Sequence, residues 1–339
     1  MIADEATFNE EHLYECRETL QNVLSDSVYN VRVCFGIYRT DNMNESLSFM
    51  CDKASFAVAS IKDDTHSFIA YYDGTMLEAA IKYKTIVDEF DDAIKAGEFK
   101  MYLQPQISAK TRRLTGAEAL VRRIKPDGTI ISPIDFIPVY EKSGLISRLD
   151  RYIWEQAAAK LGEWKKVGIN MSISVNISPK DFYYIDIFNT FAGLIKKYDI
   201  EPSNLKIEIT ETTIMSDVPN LMGELEELRK AGFTLEMDDF GSGYSSLNTL
   251  KDINVDVLKV DMGFIKETKN VKKSRIILAS VIKMAKELNL LIITEGVETE
   301  EQVDNLTKLG CDVFQGYYFS KAIDVNEFEK RYLYRKKAG

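Results

Sequence analysis

Apolar and polar positions alternate with a period of two in several short runs of the chain. In LKIEITE (205–211), Leu205, Ile207 and Ile209 fall on one side and Glu208 and Thr210 on the other. MSISVNIS sets Ile173, Val175 and Ile177 against Ser172, Ser174 and Asn176, and FTLEMDD sets Phe233, Leu235 and Met237 against Thr234, Glu236 and Asp238. That period is the signature of a strand with two unlike faces. Strands are predicted at 101–105, 114–121, 172–177, 205–211, 233–238, 256–261, 290–295 and 312–316. Between most of them run amphipathic stretches such as LMGELEELRKAG (221–232), which Gly232 closes as a helix. Eight strand–helix units over about 240 residues match the size of a (β/α)₈ barrel.

The first part of the chain reads differently. Leu13, Cys16, Leu20 and Val23 mark a helix, VRVCFGIY (31–38) a strand, Leu47, Met50, Ala54 and Val58 a helix, and SFIAYY (67–72) a strand. A long connecting helix is expected next, with Leu77, Ile81, Ile86, Phe90 and Ile94 on one side and an end near Gly97. All seven prolines lie between Pro105 and Pro219, a compositional change that supports a boundary near residues 80–100. The expected organisation is a small α/β unit over 1–75, a connecting helix over 76–97 and a barrel domain over 98–339.

A barrel strand sends one face to the surrounding helices and the other into the lumen. The apolar sets above suit the helices, so the polar sets face the axis. The polar residues also come late in their strands: Glu118, Asn176, Glu208, Asp238, Asp239, Lys259, Glu295 and Gln315 sit at or near C-terminal ends, the end that carries the active site of barrel enzymes. Glu118, Glu208, Asp238, Asp239 and Glu295 together carry −5, and Lys259 brings the sum to −4, which two divalent cations would balance. Oxygen-only ligands favour Mg²⁺ or Mn²⁺ over zinc. The competing reading is that these acids form structural ion pairs; few basic residues occupy matching strand ends.

Composition narrows the chemistry further. With 53 Asp and Glu against 43 Lys and Arg the net charge is −10, which argues against a duplex nucleic-acid partner. The chain has only two histidines, His12 and His66, both ahead of the barrel. A Ser-His-Asp triad or a histidine-rich zinc site in the barrel is excluded. Cys16, Cys34, Cys51 and Cys311 show no paired spacing and read as reduced thiols. No signal peptide and no apolar stretch of membrane-spanning length is apparent, so a cytoplasmic protein is expected. The GSG of DDFGSGYSSL (238–247) lacks the lysine of a P-loop and reads either as an ordinary flexible turn or as a mobile loop coupling Asp238 and Asp239 to a neighbouring surface. Trp154 and Trp164 read as packing residues.

These residues resemble the EAL-domain cyclic di-GMP phosphodiesterases. The blocks MYLQPQI (101–107), GAEALVR (116–122), SPIDFIPVYEKSGLI (132–146), SVNIS (174–178), EITE (208–211), DDFGSGYSSL (238–247), LKVD (258–261), EGVE (295–298) and FQGYYFS (314–320) stand in the family's order, across about residues 82–330. The resemblance implies a modified (β/α)₈ TIM-type barrel whose first strand is antiparallel. It also implies metal-dependent hydrolysis of cyclic di-GMP to linear pGpG by in-line water attack. Glu118, Asn176, Glu208 and Asp238 would hold one metal, and Asp238 would bridge to a second that Asp239 and Glu295 help to bind. Lys259, with Glu295 and Asp239 beside it, would act on the attacking water. Gln104, Leu120, Arg122, Glu298 and Gln315 would contact or position the nucleotide, Arg122 through a phosphate. Glu211 would steady the DDFG loop, and homodimerisation through that loop region is implied. The chain departs from the family pattern at Arg123 (usually Trp), Met262-Gly263 (usually Arg-Ser), Ser242 (usually Thr) and Ala322 (often Pro). No metal ligand is lost by these changes.

Residues 1–75 resemble the C-terminal part of a GGDEF domain in FGIYRTDN, MCDKASFAVASIK and FIAYYD, without the GGDEF signature. A truncated or degenerate regulatory half with no cyclase activity is expected. Two alternatives to a phosphodiesterase stand beside it: a silent receptor for the dinucleotide, and a metal hydrolase of another phosphodiester.

Overall fold

The computed structural model describes residues 7–24, 32–40, 42, 44–62, 64, 66–216, 218, 220–240, 250–251, 253–261 and 271–334. The chain divides into two compact units, Met1–Glu89 and Phe90–Gly339. In the first, α1 (Glu10–Leu24), β1 (Phe35–Ile37), α2 (Leu47–Ser60), β2 (Ile69–Tyr71) and α3 (Gly74–Asp88) follow one another, and β1 and β2 pair in parallel. Ser46 caps α2 by accepting from the Phe49 N–H, and Asp73 caps α3 by accepting from the Thr75 N–H. Lys53 reaches across this unit to Tyr38 Oη (2.7 Å) and Glu45 Oε1 (3.0 Å).

The single connecting helix expected up to Gly97 is two helices. α3 ends at Asp88, and α4 (Phe90–Ala96) begins after Glu89 with Asp91 and Asp92 in its first turn. The apolar stripe runs on through both, so periodicity alone did not reveal the break. Gly97, at φ +65°, then turns the chain into the barrel.

The second unit contains, in order, β3 (Phe99–Ser108), β4 (Leu114–Ile124), β5 (Ile130–Ile131), α5 (Pro133–Ser143), α6 (Ile146–Lys166), β6 (Ile173–Ile177), α7 (Asp181–Tyr184), α8 (Ile187–Tyr198), β7 (Leu205–Thr210), α9 (Glu211–Ile214), α10 (Leu221–Lys230), β8 (Leu235–Asp238), β9 (Val257–Asp261), α11 (Val271–Glu287), β10 (Leu291–Glu295), α12 (Glu300–Leu309), β11 (Val313–Phe314), β12 (Ile323–Asp324) and α13 (Val325–Phe328). The strands β4, β6, β7, β8, β9, β10 and β11 pair in parallel, each with the next. β3 closes the ring by pairing antiparallel with both β4 and β11. The molecule therefore carries a closed eight-stranded barrel with an inverted first strand. Every predicted barrel strand is present, and β5 and β12 are two-residue edge additions.

The core lies between strands and helices. Ile173, Val175, Leu205, Ile207, Leu235, Met237, Leu258 and Ile292 are buried on the outer strand faces, against Trp154, Ala157, Ala158, Phe191 and Leu228 from the helices. Trp154 and Trp164 are buried as expected, and the Trp154 indole N–H also donates to Asn176 O (2.9 Å). The core thus grips β6 at the residue whose side chain turns inward.

Candidate active site

The lumen is polar rather than filled by aliphatic layers. Glu208 and Lys259 are 0% exposed, and Glu118, Glu236, Gln106 and Gln315 are buried with them. Register explains the convergence: Asn176 lies level with Glu208 on the next strand, and Glu118 with Ser174. Further round the barrel, on β9 and β10, Asp261 lies level with Glu295.

Lys259 is the hub. Its Nζ lies 3.5 Å from Glu118 Oε2, 3.4 Å from Asp238 Oδ1 and 2.5 Å from Glu295 Oε1, and it is also paired with Glu208. Asn176 Nδ2 donates to Glu118 Oε1 (3.4 Å). Gln315 Nε2 donates to Gln104 Oε1 (3.2 Å) and to Glu118, while Gln106 Nε2 donates to Gln315 Oε1 (3.2 Å). Asn176 thus holds one oxygen of Glu118, while Gln315 and Lys259 share the other.

One ammonium against four carboxylates leaves the cluster short of positive charge. Burial pushes the Asp238 carboxyl up to about 9, with Glu295, Glu118 and Asp239 adding to the effect. Burial likewise takes Glu295 to about 7, against the opposing pull of Lys259. Burial disfavours a charged Lys259, but the carboxylates of Glu118 and Glu295 outweigh it and raise its pKa. One carboxylate oxygen from each of Glu118, Glu208 and Glu295 lies within 4.8 Å of the others. Glu208 Oε2 is buried without a hydrogen-bond partner. An orphaned carboxylate oxygen among all-oxygen donors fits hard divalent cations.

Asp239 occupies the turn after β8 with φ +55°, a left-handed conformation uncommon outside glycine. It is exposed, yet partial burial of the carboxyl, followed by Asp261, Glu118 and Glu211, raises its pKa, which places it in the field of the same cluster. Glu211 is fully buried at the start of α9. The loop it is expected to steady, 241–249, lies outside the described residues, as does the associated dimer contact. Glu298 is exposed in the turn before α12, its backbone N–H donating to Gln302 Oε1 (2.7 Å), rather than inside the lumen.

A groove of about 300 Å³ opens beside the cluster, lined by Tyr102, Gln104, Leu120, Arg122, Tyr317 and Lys321 among others. Arg122 lies over the Tyr102 ring at 5.9 Å, and Lys321 over the Tyr317 ring at 5.1 Å. Gln104, Leu120 and Arg122 are the groove residues expected from the sequence; Tyr102, Tyr317 and Lys321, and the amide of Gln106 behind them, are additions from the structure. Tyr102 and Gln106 share the lumen face of β3 with Gln104, so strand alternation could have found them. Tyr317 and Lys321 lie in a loop that has no period to read.

The EAL domain family profile matches residues 87–322. The chain belongs to the EAL domain family. The probable cyclic di-GMP phosphodiesterase PdeG of Escherichia coli is 36% identical over 252 residues, 72% of this chain and 48% of its own length. The bifunctional diguanylate cyclase/cyclic di-GMP phosphodiesterase MucR of Pseudomonas aeruginosa is 28% identical over 326 residues, 96% of this chain and 47% of its own. The solved structure of the PaMucR phosphodiesterase in complex with c-di-GMP superposes with a TM-score of 0.67 at 32% identity, covering 72% of this chain and 99% of that one. The chain spans about half the length, or less, of the curated relatives it matches. Among the described residues no helix is long and apolar enough to cross a membrane.

Proposed function

We propose that this EAL protein hydrolyses cyclic di-GMP to linear pGpG. The observation that carries the reading is the buried cluster of Glu118, Glu208, Asp238 and Glu295 around Lys259, beside a groove that presents Arg122. The relatives named above carry this activity in their names, or c-di-GMP in their complex, and they supply the substrate.

Glu118, Asn176, Glu208 and Asp238 would hold one Mg²⁺ or Mn²⁺, and Asp238 and Asp239, with Glu295 near, a second. Bound there, the ions supply charge neutralisation for the phosphodiester and make a water easier to deprotonate. The chain's own groups do the rest. Arg122 holds a phosphate oxygen as a charge-assisted donor. Leu120 and Gln104 fix the nucleotide against the groove wall. Lys259, kept cationic by its carboxylates, orients the attacking water from the lumen. Glu295, beside Lys259 Nζ, and Asp239, in the turn after β8, would take the water's proton. Water oxygen then attacks phosphorus, the P–O3′ bond breaks, and the 3′ oxygen leaves with a proton, giving a 5′-phosphate and a 3′-hydroxyl. Gln315 holds Glu118 in place through its amide, and Glu298 stands on the rim for a substrate contact.

In this reading the N-terminal unit is a degenerate GGDEF-like segment without cyclase activity; the match to bifunctional MucR along 96% of the chain supports the domain order. The protein acts in the cytoplasm, as a homodimer joined near the DDFG loop. The test is incubation of the full chain with cyclic di-GMP and Mg²⁺ or Mn²⁺, with product analysis. Glu118→Ala and Lys259→Ala are each expected to lower kcat by at least about 10²-fold; near-wild-type turnover in either refutes the site.

A further inference from the structure

The inverted first strand has a topological consequence. In an all-parallel barrel the chain enters at the end remote from the active site. Here β3 runs antiparallel, with Phe99 paired to Arg123 and Lys100 to Arg122 near the C-terminal end of β4. The segment leading into the barrel, α4, therefore arrives at the catalytic rim, and Phe99, the first residue of β3, lies level with the neighbour of a proposed phosphate contact.

The junction is fastened there in an unusual way. Glu98 joins α4 to β3, and its N–H donates to Ala93 O (2.9 Å) inside the last turn of α4. Its carbonyl accepts from the Ile124 N–H (2.8 Å), and its carboxylate accepts from Arg123 Nε (2.9 Å). Arg123 is 2% exposed, and its guanidinium lies over the Phe99 ring at 5.7 Å. Arg123 pairs on its other side with Ile131, and the neighbouring Ile130 lines the groove with Arg122. α4 itself is held by Phe90, which packs against Tyr140 (4.9 Å) and Phe99 (5.9 Å), and by Asp91, which pairs with Arg148 (2.6 Å). A buried ion pair of this kind is weak support for stability, because desolvation offsets much of its attraction. Its orientation, at the strand end that presents Arg122, gives it a different role.

We propose that Glu98 and Arg123 are positioning residues that clamp α4 to the end of β4 and so set the placement of Arg122. A displacement of α4 then acts on the affinity for the phosphodiester and leaves the chemistry at Lys259 unchanged. The inference rests on the reading of Arg122 as a substrate contact. In the full chain, Glu98→Ala raises KM for cyclic di-GMP about three- to tenfold, the range typical of substitutions along such contact chains. It leaves kcat within about twofold. Glu98→Gln keeps an acceptor for Arg123 Nε and retains most of the affinity. The pair replacement Glu98→Leu with Arg123→Leu leaves no buried charge unpaired and reproduces the KM rise even where the single truncation does not fold. Amide exchange without substrate gives a second readout: residues 119–124 exchange faster in Glu98→Ala, while 205–210 do not. An unchanged KM, or a fall in kcat at constant KM, overturns the clamp, and so does unchanged exchange at 119–124. A wild-type chain that does not turn over cyclic di-GMP, with exchange at 119–124 still loosened by Glu98→Ala, overturns the phosphodiesterase reading alone.

Discussion

At the scale of single residues, charges are either gathered or isolated by burial, and the two cases have opposite costs. Lys259 sits among four carboxylates, each of which would be expensive to bury alone. Asp150 and Asp181 lie elsewhere, at the start of α6 and α7, and have no comparable cation among their strongest influences. Burial pushes Asp150 well above the ordinary carboxylate range, with Asp181 and Glu141 adding to it. Asp181, which also accepts from the Ser178 N–H (2.8 Å), is pushed by burial to about 6. The native state therefore retains protons that the unfolded chain has already released above its ordinary carboxylate pKa. Stability from these groups is full below about pH 4, declines as pH rises through the raised folded values, and stays reduced above them. Asp150→Asn is expected to raise Tm at pH 8 by about 3 °C and to flatten the decline that sets in above the ordinary carboxylate range. Calorimetry across pH checks this, and a Tm change that is the same at pH 4 and pH 8 contradicts it. None of this pairing is visible in the sequence, where Asp150 and Asp181 look like ordinary helix-start acids. By contrast Glu118, Asn176, Glu208, Asp238 and Lys259 were legible, because strand alternation states which residues face inward and strand position states how far up they sit.

At the scale of elements, period-two runs marked β6, β7 and β8, and the rhythm of short strand and amphipathic helix marked the rest of the ring. β5 and β12 were not legible because each is a two-residue addition outside the strand–helix rhythm that marked the equally short β11. The break between α3 and α4 was hidden because both helices keep the same stripe. β11 is short for another reason: it must turn at once so that Gln315 reaches Glu118. Gly316 makes that turn possible. A Cβ there would stand 2.2 Å from Val297 O and 2.3 Å from Val297 N, and a backbone cannot yield as a flexible side chain can. Gly316→Ala is expected to destabilise the protein by about 2 kcal/mol in urea unfolding and to displace Gln315 from Glu118. A variant as stable as the parent contradicts this account of the turn.

At the scale of the whole molecule, a chain of net charge −10 is proposed to act on an anionic dinucleotide, so the local field at the rim has to differ from the global one. Arg122 and Lys321 at the groove supply part of that difference, and divalent cations held at the carboxylate cluster would supply the rest. Cations that bind only the folded barrel raise its stability by mass action, about 2.7 kcal/mol at a hundredfold excess over Kd. Thermal unfolding with and without Mn²⁺ should show this shift, and Glu208→Gln should abolish it; a shift of equal size in the variant would place the ions elsewhere. The most direct test of the central claim is turnover of cyclic di-GMP by the full chain, followed by separation of the guanine nucleotides. pGpG is expected to form with Mg²⁺ or Mn²⁺ present and not to form after chelation. Cyclic di-GMP that is bound and recovered intact, with the metal present, would contradict it.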